Sequence, residues 1–241
     1  MSRAATIGVE RDGPVLIVTL DRPEVLNAYS MAMRDDLFGA FSLARDDDSI
    51  RAVVVRGNGR AFCSGGDLAE FGAAPSPVVA REVRWKRDVW GLLRSLPQPT
   101  IAAVHGHATG SGMEMALLCD FRIAATDAVF SLPETALGLI PGVVGTQTAP
   151  RAIGLARALE LVLAERRIDA FEAFRIGLVG SVVRPNRLRG EADRLARRLS
   201  EIDGGIAAKV TGLVRRALER TEETGLVRER IVAATLRRES K

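Results

Sequence analysis

The 241-residue sequence contains few aromatic side chains, with a single tyrosine and an aromatic fraction of 5%. It therefore offers no aromatic-rich basic stretch on which the bases of single-stranded nucleic acid could stack. Basic residues do accumulate from Arg184 onward, where fifteen Lys and Arg accompany nine Asp and Glu. Because acidic residues are interleaved with them, we interpret this region as solvated helix faces and predict no nucleic-acid partner.

Cysteine and histidine are equally scarce, with two of each. Cys63 and Cys119 lie in apolar strings without the spacing of metal ligands, so we expect small core residues rather than a disulfide or a metal site. His105 and His107 follow a predicted strand, where we expect packed or hydrogen-bonded side chains. No signal peptide opens the sequence and no apolar run approaches the ~18–20 residues of a membrane span, which predicts a soluble, cytoplasmic protein without a membrane partner.

The common nucleotide and nucleophile motifs are missing as well. Gly110-Ser111-Gly112 runs on into Met113-Glu114-Met115, so a dinucleotide-binding fingerprint fails at its last glycine, and no P-loop sequence occurs. Neither Ser64 nor Ser111 has the two flanking glycines of a nucleophile elbow. These absences argue against nucleotide chemistry and against a Ser–His hydrolase.

Hydrophobic periodicity predicts an α/β chain in which strands and helices alternate. The predicted strands cover residues 5–10, 15–20, 52–55, 101–104, 121–125, 128–132 and 178–183. The predicted helices cover residues 30–45, 78–96, 113–118, 144–153, 155–163 and 170–176, with helix throughout from residue 186. A short Pro-containing loop is expected at residues 72–77.

The stretch from residue 101 to 142 holds two carboxylates in apolar surroundings. Glu114 stands near the start of a predicted apolar helix, and Glu134 follows the strand at 128–132. The turn that precedes Glu114 contains glycines, and a second strand, glycine turn and helix surround Gly65-Gly66. Such turns expose free N–H groups at the positive end of a helix dipole. Two facing turns could hold one carbonyl oxygen and stabilise an enolate, with the carboxylates as a proton-handling pair.

Six motifs in order make the chain resemble the crotonase, or enoyl-CoA hydratase/isomerase, family. They are R-P-E-V-L-N-A at 22–28, A-F-C-S-G-G-D-L at 61–68, I-A-A-V-H-G-H-A-T-G-S-G-M-E at 101–114, A-L-L-C-D-F-R-I-A at 116–124, F-S-L-P-E at 130–134 and L-G-L-I-P-G at 137–142. The resemblance implies an α/β fold: a crotonase-like spiral of ββα units over residues 1–185. Residues 186–241 would form a helical C-terminal region that builds homotrimers or dimers of trimers.

The resemblance also implies the ligand and where it binds. The substrate would be an acyl-CoA thioester, of which coenzyme A is a part. No metal or separate cofactor is expected, because the thioester and two backbone amides would supply the activation. The thioester oxygen would lie between the backbone amides of Gly66 and Ser111. The substrate-binding segment on the coenzyme A side would comprise Ala61, Gly66, Asp67, Leu68 and Ala69.

By the same resemblance, Glu114 matches the carboxylate that activates water and Glu134 the one that exchanges a proton with the α-carbon. This pair favours an enoyl-CoA hydratase, which adds water reversibly and syn to a trans-2-enoyl-CoA to give a 3-hydroxyacyl-CoA. A Δ3-Δ2 enoyl-CoA isomerase that uses Glu134 alone is the first alternative. Each acid, taken alone, could also be a helix-capping residue.

Two positions depart from the pattern of the family. Ser111 stands where relatives usually have glycine, which places a side chain at the oxyanion site and would strain the backbone if its φ were positive. Val143-Val144 replaces a smaller Ala-Gly pair and predicts a narrower acyl pocket. Ser111, together with the C-terminal sequence, motivates a second alternative: a catalytically decayed CoA-binding or scaffold protein.

Overall fold

The structure, a computed structural model, describes residues 4–70 and 86–239 of the chain. The strands are β1 (Ile7–Asp12), β2 (Val15–Leu20), β3 (Ala52–Gly57), β4 (Thr100–Val104), β5 (His107–Thr109), β6 (Phe121–Ala125), β7 (Val129–Ser131), β8 (Ile168–Asp169) and β9 (Ser181–Val183). The helices are α1 (Met31–Asp46), α2 (Val89–Ser95), α3 (Ser111–Leu118), α4 (Gly145–Ile153), α5 (Leu155–Leu163), α6 (Ala170–Arg175), α7 (Pro185–Ser200), α8 (Gly204–Arg215) and α9 (Glu222–Glu239). Short 3-10 helices occupy Pro23–Val25, Leu68–Glu70, Glu134–Leu137 and Ala217–Glu219.

The strands form a main sheet in the order β1-β2-β3-β4-β6-β9 and a small sheet in the order β5-β7-β8. In the main sheet β1 and β2 form the predicted antiparallel hairpin, and the other neighbours are parallel. In the small sheet β5 and β7 are parallel and β8 is antiparallel to β7. The chain thus passes from β4 in the main sheet to β5 in the small one and then into α3. This succession is a ββα unit, and the predicted crotonase-like α/β spiral is confirmed.

Both faces of the main sheet are covered, which explains its continuous apolar strands. Along β3, Val53 and Val55 face one apolar cluster while Ala52 and Val54 face another. The first cluster is filled mainly by α1, α2 and α3. The second is closed by α7, which presents an apolar face at a spacing of four residues: Leu188, Ala192 and Ala196. The three consecutive valines of β3 are therefore core residues on both sides.

Ser30 begins α1 as predicted, because its side chain accepts a hydrogen bond from the Met33 amide at 3.2 Å. The predicted loop at 72–77 and the first part of the predicted helix at 78–96 lie outside the described residues. The described remainder is not continuous helix as predicted, because the Asp88 side chain accepts from the Gly91 amide and α2 begins only at Val89. The consecutive strands predicted at 121–125 and 128–132 belong to different sheets, as β6 and β7. Sequence patterns missed β5, because its three residues are too few to show an alternation.

The C-terminal helices are attached to the sheet within the same chain. Arg215 of α8 makes two hydrogen bonds of 2.6 Å to the Asp120 carboxylate and donates to the Leu96 carbonyl at 2.8 Å. Asp120 also accepts from the Thr100 amide at the start of β4, at 2.9 Å.

None of the helices in the described part of the chain has the length and apolarity required to span a bilayer. The cytoplasmic location stays a prediction.

Candidate active site

The two glycine turns predicted to face each other are in direct contact. The backbone amide of Cys63 donates to the His107 carbonyl at 2.9 Å, and the Cys63 carbonyl accepts from the Thr109 amide at 3.0 Å. These bonds form a parallel β-bridge between the two turns. Gly65 (φ 108°) and Gly110 (φ 52°) have backbone conformations that favour glycine. A Cβ atom on Gly65 would stand 3.1 Å from the Thr109 carbonyl oxygen. Glycine at this position therefore permits the close approach of the two turns.

The amide N–H of Gly66 points away from Tyr29, the residue with which Gly66 forms a β-bridge. The backbone amide of Tyr29 donates to the Gly65 carbonyl at 2.7 Å, and the Tyr29 carbonyl accepts from the Asp67 amide at 2.9 Å. In this parallel bridge Tyr29 is hydrogen-bonded to the residues before and after Gly66. The N–H of Gly66 itself therefore points to the side away from Tyr29. Within residues 4–70 and 86–239, no acceptor is hydrogen-bonded to this N–H.

Ser111 supplies a second open amide on the facing turn. It is the first residue of α3, so its N–H has no acceptor within the helix, and none is found elsewhere among the described residues. The positive φ falls on Gly110, while Ser111 itself is not in the left-handed region, so the strain considered above does not arise. Two unpaired amides thus lie on adjoining turns. Their joint binding of a thioester oxygen stays a prediction.

Glu114 is buried, with 1% of its surface exposed, and its carboxylate is held at the start of α4. Its Oε1 accepts hydrogen bonds from the amides of Val143 at 3.1 Å, Val144 at 2.8 Å and Gly145 at 2.7 Å. Three amide donors and the positive end of a helix dipole provide a favourable environment for a carboxylate charge. The same bonds fix the direction of the side chain. The Glu114 side chain therefore binds the start of α4, which differs from the capping of its own helix considered above.

Glu134 lies beside the turn that carries Ser111, in an environment that favours its protonated form. A Cβ atom on Gly110 would be 2.8 Å from Glu134 Oε1, so the carboxyl group rests against that glycine. Its Oε2 is buried and has no hydrogen-bond partner among the described residues. Burial, and secondarily the negative charge of Glu114, raise the pKa of Glu134 to about 7, although its own backbone amide lowers it. Two neighbouring acids with contrasting environments are the pattern of an acid/base pair.

The segment predicted to line the coenzyme A side leaves the glycine turn towards the surface. Asp67 is paired with Arg22 at 2.9 Å and accepts from the Ala69 amide at 3.2 Å, so its carboxylate is already bound by protein. Leu68 is 63% exposed, and Ala69 is exposed beside it. Ala61 is buried, and its carbonyl accepts a hydrogen bond from Asn27 at 2.8 Å. The binding role of these residues stays a prediction.

Asn27 is a supporting residue to which the sequence assigned no role. It is fully buried at φ 57°, a conformation that asparagine tolerates better than most residues. Its Oδ1 accepts from the Arg22 amide at 2.8 Å, and its Nδ2 donates to the carbonyls of Asn58 and Ala61 at 2.9 and 2.8 Å. It thereby ties the 22–28 loop to the turn that bears Gly66. Because Asn27 is a polar residue in a predicted loop, sequence patterns do not predict that it is buried.

The cysteines and His105 take the structural places expected of them, whereas the His107 ring is neither packed nor hydrogen-bonded among the described residues. His105 Nε2 lies 3.1 Å from the Gly59 carbonyl oxygen, and His107 is exposed at the start of β5. Cys63 and Cys119 are buried free thiols, and burial raises their pKa values to about 11 and about 12. In the part of the chain that the structure describes, no three His, Cys, Asp or Glu side chains group closely enough to hold a metal ion.

A ββα spiral with two adjoining open amides, one buried acid and one partly buried acid defines a protein of the crotonase type. The model of one family, described as enoyl-CoA hydratase/isomerase, matches residues 10–240. This chain belongs to the enoyl-CoA hydratase/isomerase family.

Similar proteins and solved structures agree with this assignment. The chain is 40% identical over 225 residues to a Mycobacterium tuberculosis protein named a probable enoyl-CoA hydratase, with 93% of this chain and 87% of that one covered. It is 37% identical over 193 residues to a crotonyl-CoA hydratase of Syntrophomonas wolfei, covering 79% and 74%. An enoyl-CoA hydratase structure from Bacillus anthracis superposes with a TM-score of 0.89 at 34% identity, over 95% and 90% of the two chains. A Thermobifida fusca relative solved with CoA gives 0.90 at 33% identity, over 98% and 94%.

Proposed function

We propose that this protein is an enoyl-CoA hydratase that adds water reversibly and syn to a trans-2-enoyl-CoA, giving a 3-hydroxyacyl-CoA. The observation that carries the proposal is the contrast between the two acids. Glu114 is held by three amides that favour its charge, while the pKa of Glu134 is raised to about 7. Hydration needs one group to take a proton and one to give a proton, and this pair provides both. The names of the relatives support the same activity.

The proposed reaction uses each group once. The ionised Glu114 accepts a proton from water while the water oxygen bonds to C3 of the substrate. The electrons of the C2=C3 bond shift towards the thioester oxygen, where the Gly66 and Ser111 amides stabilise the enolate. The protonated Glu134 then gives its proton to C2 as the thioester carbonyl re-forms. Glu114 ends protonated and Glu134 ionised, so one proton passes from the first to the second through solvent before the next cycle.

An isomerase is the second candidate, since moving a double bond requires only that Glu134 remove a proton from C2 and return it to C4. The hydrogen bonds of Glu114 favour the hydratase over this alternative. Three amides orient its buried carboxylate beside Glu134, which an isomerase using Glu134 alone does not require. The perturbed pKa of Glu134 also speaks against a catalytically decayed scaffold, because such shifts concentrate at working sites.

We propose that coenzyme A binds along the segment that runs from Gly66 to Ala69, with Ala61 behind it. The exposed surface of Leu68 would cover the nucleotide part of the ligand. That a relative was solved with CoA supports the ligand class. The mechanism involves no metal ion or separate cofactor, since the two amides and the thioester itself provide the activation.

We also propose a homotrimer or a dimer of trimers. Large apolar side chains are exposed along one side of α5 at a spacing of four residues: Leu155, Leu159 and Leu163. The 3-10 helix at Glu134–Leu137 packs beside α5, and Ile140 beyond it is 72% exposed. Exposed apolar side chains grouped in this way are typical of a subunit interface. Sedimentation of the full chain tests the proposal, and a monomer would contradict it.

A panel of trans-2-enoyl-CoA and trans-3-enoyl-CoA substrates of different chain lengths tests the function. We expect the trans-2 compounds to lose their conjugated absorbance and to yield 3-hydroxyacyl-CoA. Conversion of the trans-3 compounds into trans-2 isomers, without hydration, would instead favour the isomerase. The panel also reports the preferred chain length, for which Val143-Val144 predicts short or slender acyl groups.

A further inference from the structure

Ser111 carries a side chain, whereas the glycines on either side of it have no space for a Cβ atom. A Cβ atom on Gly112 would lie 2.3 Å from the Cys63 carbonyl oxygen, and one on Gly110 would lie 2.8 Å from Glu134 Oε1. On the facing turn, a Cβ on Gly65 would lie 3.1 Å from the Thr109 carbonyl oxygen. Ser111 is thus the one member of the Gly110–Gly112 turn with a side chain, and it has an ordinary helical backbone.

The hydroxyl group of Ser111 has no structural partner in the described part of the chain. The residue is partly exposed, and no hydrogen bond joins its Oγ to residues 4–70 or 86–239. The helix start is not capped by a side chain either. By contrast, the hydroxyl of Ser64 on the facing turn donates to the Val25 carbonyl at 3.3 Å. The Ser111 hydroxyl is therefore available to a ligand, whereas the Ser64 hydroxyl is already used.

Covalent geometry links this hydroxyl to the amide of the same residue. Serine side chains adopt three staggered positions about χ1, and in two of them Oγ is gauche to the backbone nitrogen. At the first position of a helix no preceding turn obstructs either of these two rotamers. Oγ then lies roughly 3 Å from its own nitrogen. An oxygen atom that accepts from the Ser111 amide is consequently within reach of the Ser111 hydroxyl.

We propose that the Ser111 hydroxyl donates a third hydrogen bond to the thioester oxygen, beside the amides of Gly66 and Ser111. This inference rests on the proposed acyl-CoA function of the site. The hydroxyl forms no covalent bond and transfers no proton. It stabilises the enolate that develops on the oxygen, and it makes Ser111 a catalytic residue through its side chain as well as its backbone.

The test compares Ser111→Ala, Ser111→Gly and Ser111→Thr with the unaltered protein. Turnover of crotonyl-CoA gives kcat and KM. A separate binding experiment uses 4-(dimethylamino)cinnamoyl-CoA, a conjugated thioester whose absorbance moves to longer wavelength as its carbonyl oxygen accepts stronger hydrogen bonds. Ser64→Ala is the matched control, because it removes a hydroxyl of the facing turn that already has a protein acceptor. Thermal unfolding checks that every variant is folded.

In Ser111→Ala and Ser111→Gly we expect kcat to fall by about tenfold to a hundredfold, less than for a sole oxyanion donor because both amides remain. KM should change little, and the red shift of the bound probe should shrink in the same variants. Ser111→Thr, which keeps the hydroxyl, should recover most of both quantities, and Ser64→Ala should resemble the unaltered protein.

The proposal is overturned if Ser111→Ala or Ser111→Gly keeps the full kcat and the full red shift, or if the glycine variant is faster. An unaltered protein that shows no red shift with the probe would also overturn it. The binding experiment requires no turnover, so the two proposals can fail separately. A red shift that depends on Ser111 without hydration of crotonyl-CoA would refute the hydratase and leave the third donor standing.

Discussion

The Oε1 atom of Glu114 lies 2.7 Å from the amide nitrogen of Gly145, the first residue of α4. Since the same oxygen accepts from the two preceding amides, a buried acid on α3 caps the start of α4. One group of hydrogen bonds thereby serves the fold, by satisfying open helix amides, and the site, by orienting a carboxylate. Substitutions of Glu114 or of residues at the start of α4 should therefore affect both stability and activity.

Gly145→Ala tests this contact from the helix side. A Cβ atom at this position would be 2.7 Å from Pro141 Cβ and 3.0 Å from Glu114 Oε1. We expect the carboxylate to be displaced and kcat for hydration to fall by about 10²-fold. The free energy of unfolding should fall by about 1–3 kcal/mol, measured by urea denaturation.

Gly190→Ala is the control for that substitution. Gly190 lies within α7 with no atom near the position of an added Cβ. Alanine there should raise the free energy of unfolding by about 0.5–1 kcal/mol and leave kcat unchanged. Full activity in Gly145→Ala would show that the position of Glu114 does not matter to catalysis.

Glu114→Gln should slow hydration strongly while preserving the fold. The glutamine carbonyl oxygen can still accept from the α4 amides, but the side chain can no longer take a proton from water. We expect kcat to fall by about 10²–10⁴-fold with an unchanged far-UV circular dichroism spectrum. If the unaltered protein does not hydrate crotonyl-CoA, and it and the variant move the double bond of a trans-3-enoyl-CoA at the same rate, the protein is an isomerase.

The pH dependence of kcat/KM should show a descending limb near pH 7. Hydration starts with Glu134 protonated and Glu114 ionised, and dehydration starts with the reverse, so both directions need one proton on the pair. Because the pKa of Glu134 is about 7, this proton is lost as the pH rises further. Rates for crotonyl-CoA hydration and 3-hydroxybutyryl-CoA dehydration should decline together above neutrality. An activity that increases there would contradict the assigned proton donor.

The same pKa predicts how Glu134 affects stability. The folded-state pKa of about 7 exceeds the ordinary value of 4.5, so between these two values the folded protein binds more protons than the unfolded chain. The contribution of Glu134 therefore becomes less favourable as the pH rises through this window. At pH 8 we expect Glu134→Gln to be more stable than the unaltered protein by about 1–2 kcal/mol, a figure reduced for partial exposure. Equal or lower stability, measured by denaturation at pH 8, would speak against the raised pKa.

Local patterns predicted much of the fold. The bounds of β2, β6 and α5 agree with the apolar periodicity, because each of these elements is long enough to show its repeat. The sequence neighbours β6 and β7 nevertheless belong to different sheets, and β5 escaped prediction. Pairing between strands depends on contacts distant in sequence, which the periodicity of one segment does not contain.

For the site, the sequence indicated the side chains but not their partners. Glu114 and Glu134 stood out as acids in apolar runs, and the glycine turns indicated open amides. The donors that hold Glu114 are backbone groups of Val143, Val144 and Gly145, which no side-chain pattern reveals. The same limit applies to Asn27, whose burial arises only when two distant loops meet.

The most direct measurement is mass spectrometry of the product formed from crotonyl-CoA in water labelled with deuterium and ¹⁸O. We predict 3-hydroxybutyryl-CoA with one ¹⁸O at C3 and one deuterium at C2, and the ¹H NMR coupling between C2 and C3 of this product should show that both were added to the same face. Both Glu114→Gln and Glu134→Gln should lose this product. An unaltered protein that leaves crotonyl-CoA unhydrated, or variants that form the same product at the original rate, would contradict the assignment of the two acids.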